Sequence, residues 1–496
     1  MTSSAPDPRR WKALAVCLVG GFMVLLDVSI VNVALPSIRD GLGASQSDLQ
    51  WVVSGYALTF GLLLVPAGRV GDARGRRTMF VVALGLFTLA SLSCGLAPTS
   101  LVLVIARLVQ GLAGGLLTPQ ISAVIQQLFS GRERGTAFGL FGTVVGISTA
   151  VGPLLGGALI AAFGQDTGWR FVFFINIPIG LAAMPFAWRL LPRPDETQRT
   201  KHDYDPLGVG LLGAAIVVLL LPLVQEQQWQ GSAKWLLLPL AAVLLGVFVG
   251  WEVHYTRRQK EPLVELSLFR MRSYSFGTGL ITLYFAGFTP LFFVFTLFLQ
   301  TGLHYSALQA GLAITPFAAG SAASAALGGR VVHRFGRLLI AVGLAMVAVG
   351  FAGTLLAVHY VPTSGTGWAT LAPLLVGGLG SGLVIAPNQA LTLSEVPVRR
   401  AGTAGGLLQV GQRIGAAVGI AAVGSVFFAR VADTRGRDFA SAYTHALVVA
   451  LVFVVVALVI AVVDVLVDRR ITARRAEAGQ DAGRAVERRG EDARAA

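Results

Sequence analysis

Asp27 sits in the middle of an apolar stretch, residues 12–36, where a charge has no water to solvate it. An ionised acid at the centre of a bilayer costs about 3 kcal/mol or more, so such a residue faces a cavity or a partner. Burial favours the protonated carboxyl and a nearby cation favours the ionised one. An acid held between the two can load and release protons. Arg107 is the matching cation, inside the apolar stretch 101–125. Gln110, Gly111, Gly114, Gly115 and Thr118 follow it at helical spacing and share its face. A face of small and polar residues lines a cavity or a close helix contact. Arg107 paired with Asp27 would sense the charge of the acid. Two other roles remain open: Asp27 as a structural acid paired to a neighbouring helix, and Arg107 as a cap on backbone carbonyls.

Further groups are spaced for binding or movement. Asp72 lies among Arg69, Arg74, Arg76 and Arg77. It can form a charge-assisted network across helix ends that would latch one side closed, or the arginines serve only to orient the chain in the membrane. Tyr284, Phe288, Phe292 and Phe295 mark one face of a span; they would hold flat apolar cargo and stack on cations, or face lipid. Asn388, Gln389, Gln409, Gln412 and Arg413 are polar groups inside apolar stretches. With Gln110 they are candidates for hydrogen bonds to cargo, or for bonds between helices. Gly142/Gly146 and Gly152/Gly156 are spaced for close packing, and Pro153 can kink its helix. Gly411, Gly415 and Gly419 make a similar stripe. Both stripes are read as a sliding surface between two halves, or as plain tight packing.

The elements that must position these groups are membrane helices. Of 496 residues, 54% are hydrophobic and 13% charged, against about 25% charged in soluble domains. Apolar stretches of about 20 residues span a bilayer. Fourteen occur, near 12–36, 50–70, 78–97, 101–125, 135–163, 171–191, 206–224, 235–255, 274–299, 306–327, 338–358, 368–393, 402–429 and 443–467. The fold class is therefore an all-α polytopic membrane protein. The formal net charge of +14 is spread over short loops rather than one patch, which argues against nucleic acid as a partner. One alternate set of loops is rich in arginine and includes Arg199 and Lys201, whereas Arg437 falls in the sparse set. That bias places both termini in the cytoplasm. Residues 1–11 form a short polar N-terminus, and 468–496 an Arg/Glu/Ala-rich tail read as disordered or as frayed helix.

Residues 68–76 and 329–337 align without gaps, each following an apolar stretch. Repeated halves recur in secondary transporters. The repeat divides the chain into a six-helix half at 12–192, a linker with two inserted helices at 193–272 and a second six-helix half at 273–467. His333 stands where the first loop has Asp72, so coupling chemistry is expected in the first half.

Four stretches resemble the major facilitator superfamily and, within it, the fourteen-helix drug/proton antiporter family. Leu26 to Pro36 looks like the family's first-helix motif, with Ser29 where Thr is usual. Gly68 to Arg77, with Gly75 inside it, looks like the superfamily loop motif, and Arg107 to Gly111 like the fourth-helix motif. Gly146 to Gly157, including Gly152, Pro153 and Gly156, looks like the fifth-helix antiporter motif. Trp169-Arg170 and Asn176-Ile177-Pro178 resemble the entry to the sixth helix.

The resemblance implies a major facilitator fold in a bacterial cytoplasmic membrane, driven by the proton gradient without a cofactor. It implies alternating access in exchange for protons, with small apolar or amphipathic organic molecules as cargo, and a monomer in the lipid bilayer. Asp27 and Arg107 would carry proton coupling, and Gly68, Asp72, Arg74, Gly75 and Arg76 the latch. The cargo is either broad or one endogenous metabolite such as a self-made antibiotic. A sensory or structural membrane protein is the rival from another class. Gly208-Val209-Gly210-Leu211-Leu212-Gly213 spells a dinucleotide fingerprint but opens an apolar span with no strand before it, so it is rejected. No P-loop, zinc-protease or serine-hydrolase motif occurs, and Cys17 and Cys94 lie far apart in apolar runs.

Overall fold

The computed structural model describes residues 8–193, 205–224, 229, 231–361, 365–435 and 438–495. Arg199, Lys201 and Arg437, which entered the loop-charge argument, lie outside the described residues.

Every apolar stretch is a helix, because lipid leaves the backbone no other partner than itself. In chain order they are α1 (Arg10–Leu42), α2 (Gln46–Arg74), α3 (Arg76–Gly95), α4 (Ser100–Leu128), α5 (Gly131–Phe163), α6 (Gly168–Leu190), α7 (Pro206–Val224), α8 (Leu237–Arg257), α9 (Arg272–Leu297), α10 (Ala307–Phe335), α11 (Arg337–Tyr360), α12 (Leu371–Thr392), α13 (Ala401–Asp433) and α14 (Phe439–Ala495). All fourteen are long and apolar enough to cross a membrane. Several outrun their apolar core. At 33 residues, α1 is about 50 Å long, so its ends reach beyond the hydrocarbon. The C-terminal tail, expected to be disordered or frayed, continues α14 as helix; Ala, Arg and Glu are strong helix formers.

The repeat is visible in the backbone. Gly75 (φ 103°) divides α2 from α3 and Gly336 (φ 53°) divides α10 from α11, at matching places. Both angles favour glycine. Helices α1–α6 pack on one another, as do α9–α14. The two sets meet along two seams, α2 against α13 and α5 against α10. Each seam sets the second helix of one half against the fifth of the other. The inserted α7 and α8 pack together, and α7 leans on α2 and α13. Large apolar side chains such as Leu89, Leu101, Leu181, Val243, Val349 and Leu466 are exposed around the bundle, as a lipid-facing belt requires.

The helix ends near Arg10, Arg74, Gly131, Arg272, Arg337 and Arg470 share one end of the bundle, called here the basic end. Arg10 pairs there with Glu133, and Arg272 with Asp464.

Candidate functional site

The sequence expects Asp27 and Arg107 to meet, and they do. Arg107 Nη1 donates to Asp27 Oδ2 at 2.6 Å, with Asp27 wholly buried and Arg107 2% exposed. The second carboxylate oxygen, Oδ1, accepts from Gln110 Nε2 at 2.9 Å and from Asn176 Nδ2 at 3.2 Å. Arg107 also donates to Gln110 Oε1 at 2.7 Å and, through Nε, to the Val52 carbonyl at 3.0 Å. Its guanidinium lies 4.1 Å from the Tyr56 ring centre. Ser91 Oγ accepts from both Gln110 and Asn176. Five helices thus converge on one ion pair. A buried pair is tolerable when its remaining hydrogen-bonding groups are also met.

Gln110, a candidate for cargo, belongs to this network instead; it is fully buried and bonded on both amide atoms. Ser91 and Asn176 have a part that sequence reasoning missed. The only signal for Asn176 was its motif-like setting before Pro178, where α6 breaks at Ile175. For Ser91 there was none.

A cavity opens beside the pair. Its wall includes Asn32 of α1, Tyr56 and Phe60 of α2, Arg107 of α4 and Arg413 of α13, with valines of α1 and α2 between them. Asp27 is not on this wall. It lies behind Arg107, which faces the cavity in its place. Arg413 comes from the second half, and its guanidinium stacks 4.5 Å from the Phe60 ring centre.

The other cargo candidates of the second half, Gln412 excepted, make contacts between helices. Asn388 Nδ2 donates to the Gly277 carbonyl at 3.0 Å. Gln389 Nε2 donates to Ser122 Oγ of the first half at 3.0 Å. Tyr284 is buried and donates to Ser381 Oγ at 2.7 Å. Phe288 and Phe292 gather with Tyr284 around Phe317. Phe295, two turns on from Phe288, contacts Tyr443 of α14 instead. Gln412 is partly buried on α13.

The Asp72 network joins the two halves at the basic end. Asp72 accepts from the backbone N–H of Gly402 at 3.1 Å and of Thr403 at 3.0 Å, and pairs with Arg76 at 3.0 Å. Arg76 also reaches the Ala123 and Val398 carbonyls. Gly68 packs directly on the Gly402–Thr403 backbone. Arg74 is exposed. In the second half, Arg337 stands where the first has Arg76, and it pairs with Asp464 of α14. The acid absent from the second loop is thus supplied by the last helix, within the half rather than across the seam.

The glycine stripes divide differently from expectation. Gly135, Gly139, Gly142 and Gly146 do face the other half, against Gly329, Ala325, Ala322 and Ala386. Gly152 and Gly156 instead pack on Ser29 and Ile30 of α1, within their own half, and Gly157 has no neighbour within 4 Å of an added Cβ. Pro153 lies 4.0 Å from a Cβ added at Gly311 of α10. The α13 stripe Gly411, Gly415 and Gly419 packs on Thr282 and Ala286 of α9, also within one half. It is Gly402, Gly405 and Gly406, higher on the same helix, that meet the first half.

The connector between α8 and α9 touches both halves. Glu261 pairs with Arg69 of α2, and Glu265 with Arg400 at the start of α13, each at 2.5 Å. Between them, the Val264 N–H donates to Glu252 Oε2 of α8 at 3.3 Å.

The family model for the Major Facilitator Superfamily matches residues 17–420. Among curated relatives, the "Probable actinorhodin transporter" of Streptomyces coelicolor is 39% identical over 432 residues, which is 86% of this chain and 74% of that one. The "Tetracenomycin C resistance and export protein" of Streptomyces glaucescens is 34% identical over 88% of this chain and 79% of its own. The "Multidrug resistance protein Stp" of Mycobacterium tuberculosis is 32% identical over 84% of this chain and 75% of its own. Among solved structures, the human organic anion transporter MFSD10 superposes with a TM-score of 0.66 at 14% identity, over 92% of this chain and 100% of that one. The proton:xylose symporter XylE gives 0.64 at 16% identity, over 90% of this chain and 96% of its own. These two likenesses concern the fold.

Proposed function

The chain belongs to the Major Facilitator Superfamily, and from that premise we propose that it is a proton-coupled antiporter exporting small organic molecules across the cytoplasmic membrane. The observation that carries this reading is the buried Asp27–Arg107 pair behind the wall of a cavity to which both halves contribute. The loop charges orient the basic end, and with it both termini, toward the cytoplasm. The state described here is then closed on the cytoplasmic side by Asp72.

The cycle follows from these parts. With the basic end open, cargo enters the cavity from the cytoplasm or the inner leaflet, and Asp27 gives up its proton. The seams then close in the arrangement seen here. A proton arriving from outside neutralises Asp27, and the pair with Arg107 loses its Coulombic part. The helices it ties are then free to shift for the return. Ser29 of α1 donates to the Ser148 carbonyl of α5 at 3.0 Å, so the helix bearing Asp27 is fastened to one that forms a seam. The membrane potential adds about 2.3 kcal/mol per net charge per 100 mV.

Purified protein in vesicles, given a proton gradient and a panel of aromatic antibiotics, tests the proposal. Uphill accumulation of at least one cargo, with matching proton movement, is expected. Accumulation of none across the panel, or accumulation without proton movement, refutes it. A narrower reading, one self-made antibiotic as cargo, is favoured by the relatives named for actinorhodin and tetracenomycin C. The same panel separates the two by the number of cargoes moved.

A further inference from the structure

Two charged groups line the cavity, with Asp27 behind one of them, and the other is left over. Asp27 is consumed by Arg107, Gln110 and Asn176. Arg107 is neutralised by Asp27, giving Nη1 to Asp27 and Gln110 and Nε to the Val52 carbonyl. Arg413 also lines the cavity, contributed by α13, with no ion pair or hydrogen bond to any described residue. Its only aromatic contact among them is the face of Phe60. A guanidinium stacked by its face still presents its N–H fork in the plane, the geometry that suits a carboxylate. An arginine inside a membrane protein without a counterion is costly and marks a ligand path.

We propose that Arg413 is the anchor of an anion-binding subsite, and that the cargo class is planar aromatic acids, carrying a carboxylate or an ionised phenol. The remainder of the wall fits such a molecule. Val28, Val53 and Ala57 offer apolar area to a flat ring system, and Asn32 offers one exposed amide beside them. With a monoanion in place the charges of Asp27, Arg107, Arg413 and cargo sum to zero, which lets the cavity close over its contents without an uncompensated charge. A cationic cargo would raise the same sum to plus two. The subsite rests on the export reading above, and it sharpens the energetics of that reading. One proton in and one monoanion out move two charges in the same sense down an inside-negative potential.

The test uses the purified full chain and three named probes: anthraquinone-2-carboxylate, its neutral carboxamide, and ethidium as a flat cation. Binding is read by tryptophan fluorescence or calorimetry. Wild type should prefer the acid over the amide by about tenfold or more, and bind ethidium weakest. In Arg413→Gln the acid-to-amide ratio should fall to within about threefold of unity, and Arg413→Lys, which keeps the charge but not the planar fork, should retain only part of the preference. Equal binding of acid and amide by wild type overturns the proposal, as does preference for ethidium or binding of none of the three. An unchanged ratio in Arg413→Gln also overturns it. If Arg413→Gln does not fold, the wild-type ratio and Arg413→Lys decide alone. Proton-driven flux without acid preference defeats only this subsite, whereas absence of any driven flux defeats the export reading.

Discussion

Asp72, at the last turn of α2, accepts from the first free N–H groups of α13, those of Gly402 and Thr403, so an acid of one half caps a helix of the other. A carboxylate at a helix N-terminus meets both unsatisfied donors and the positive end of the helix dipole. Opening the basic end must break this cap.

Asp72→Asn and Gly75→Leu are expected to slow transport by roughly tenfold while leaving cargo affinity in detergent near wild type. Gly75 holds φ 103° between two helices, which leucine adopts only with strain. His333→Asn, at the exposed matching position of the second loop, should matter less. Equal losses of rate and affinity would show that Asp72 shapes the cavity rather than the gate.

Asp27→Asn should abolish proton movement driven by cargo and uphill export, yet leave downhill exchange partly intact; Asp27→Glu should keep some coupling. Flux of cargo and protons in vesicles reads both. Normal coupling in Asp27→Asn would move attention to Glu252, whose Oε1 is buried without a partner among the described residues.

Arg107→Ala leaves Asp27 as a buried charge with no cation against it and should cost about 3–5 kcal/mol of stability, visible as a lower thermal midpoint in detergent. The double change Asp27→Asn with Arg107→Gln should recover much of that loss without restoring coupling. A double variant no more stable than Arg107→Ala would mean that the pair is not a unit.

A Cβ at Gly139 would stand 2.8 Å from the Ala325 carbonyl and 2.9 Å from Gly329 Cα, both backbone atoms. Gly139→Ala should therefore disfavour the closed basic end, seen as longer spin-label distances between the α2–α3 and α10–α11 turns. Gly157→Ala, in open space, should leave both distances and transport unchanged.

Reporter fusions after Arg270 and at the C-terminus should both read cytoplasmic. An external signal at either would reverse the orientation drawn from the loop charges.

The spans were legible because lipid imposes a length and an apolar composition that few other contexts need. The pairing of Asp27 with Arg107 was legible because buried charges in a membrane must find each other. Ser91 was not, since a lone serine in a helix has no distinguishing pattern. Asp464 was not legible as the partner of Arg337, because nothing local relates the last helix to the turn that Arg337 opens. The α13 glycines failed for a geometric reason. That helix carries small residues on two faces, and spacing alone cannot say which face meets α9 and which meets α2. Asn388 and Gln389 look alike as cargo groups or as bonds between helices until the neighbouring backbone is in view.

The α5–α10 seam is built from Gly135, Gly139 and Gly329 meeting backbone to backbone, whereas the cavity is drawn by Asn32, Phe60 and Arg413. That seam and the cavity wall therefore draw on different positions in the chain. Substitutions that redraw the cavity leave this seam untouched, so a handful of changes can re-tune a transporter of this kind to a new compound without disturbing how its halves meet there.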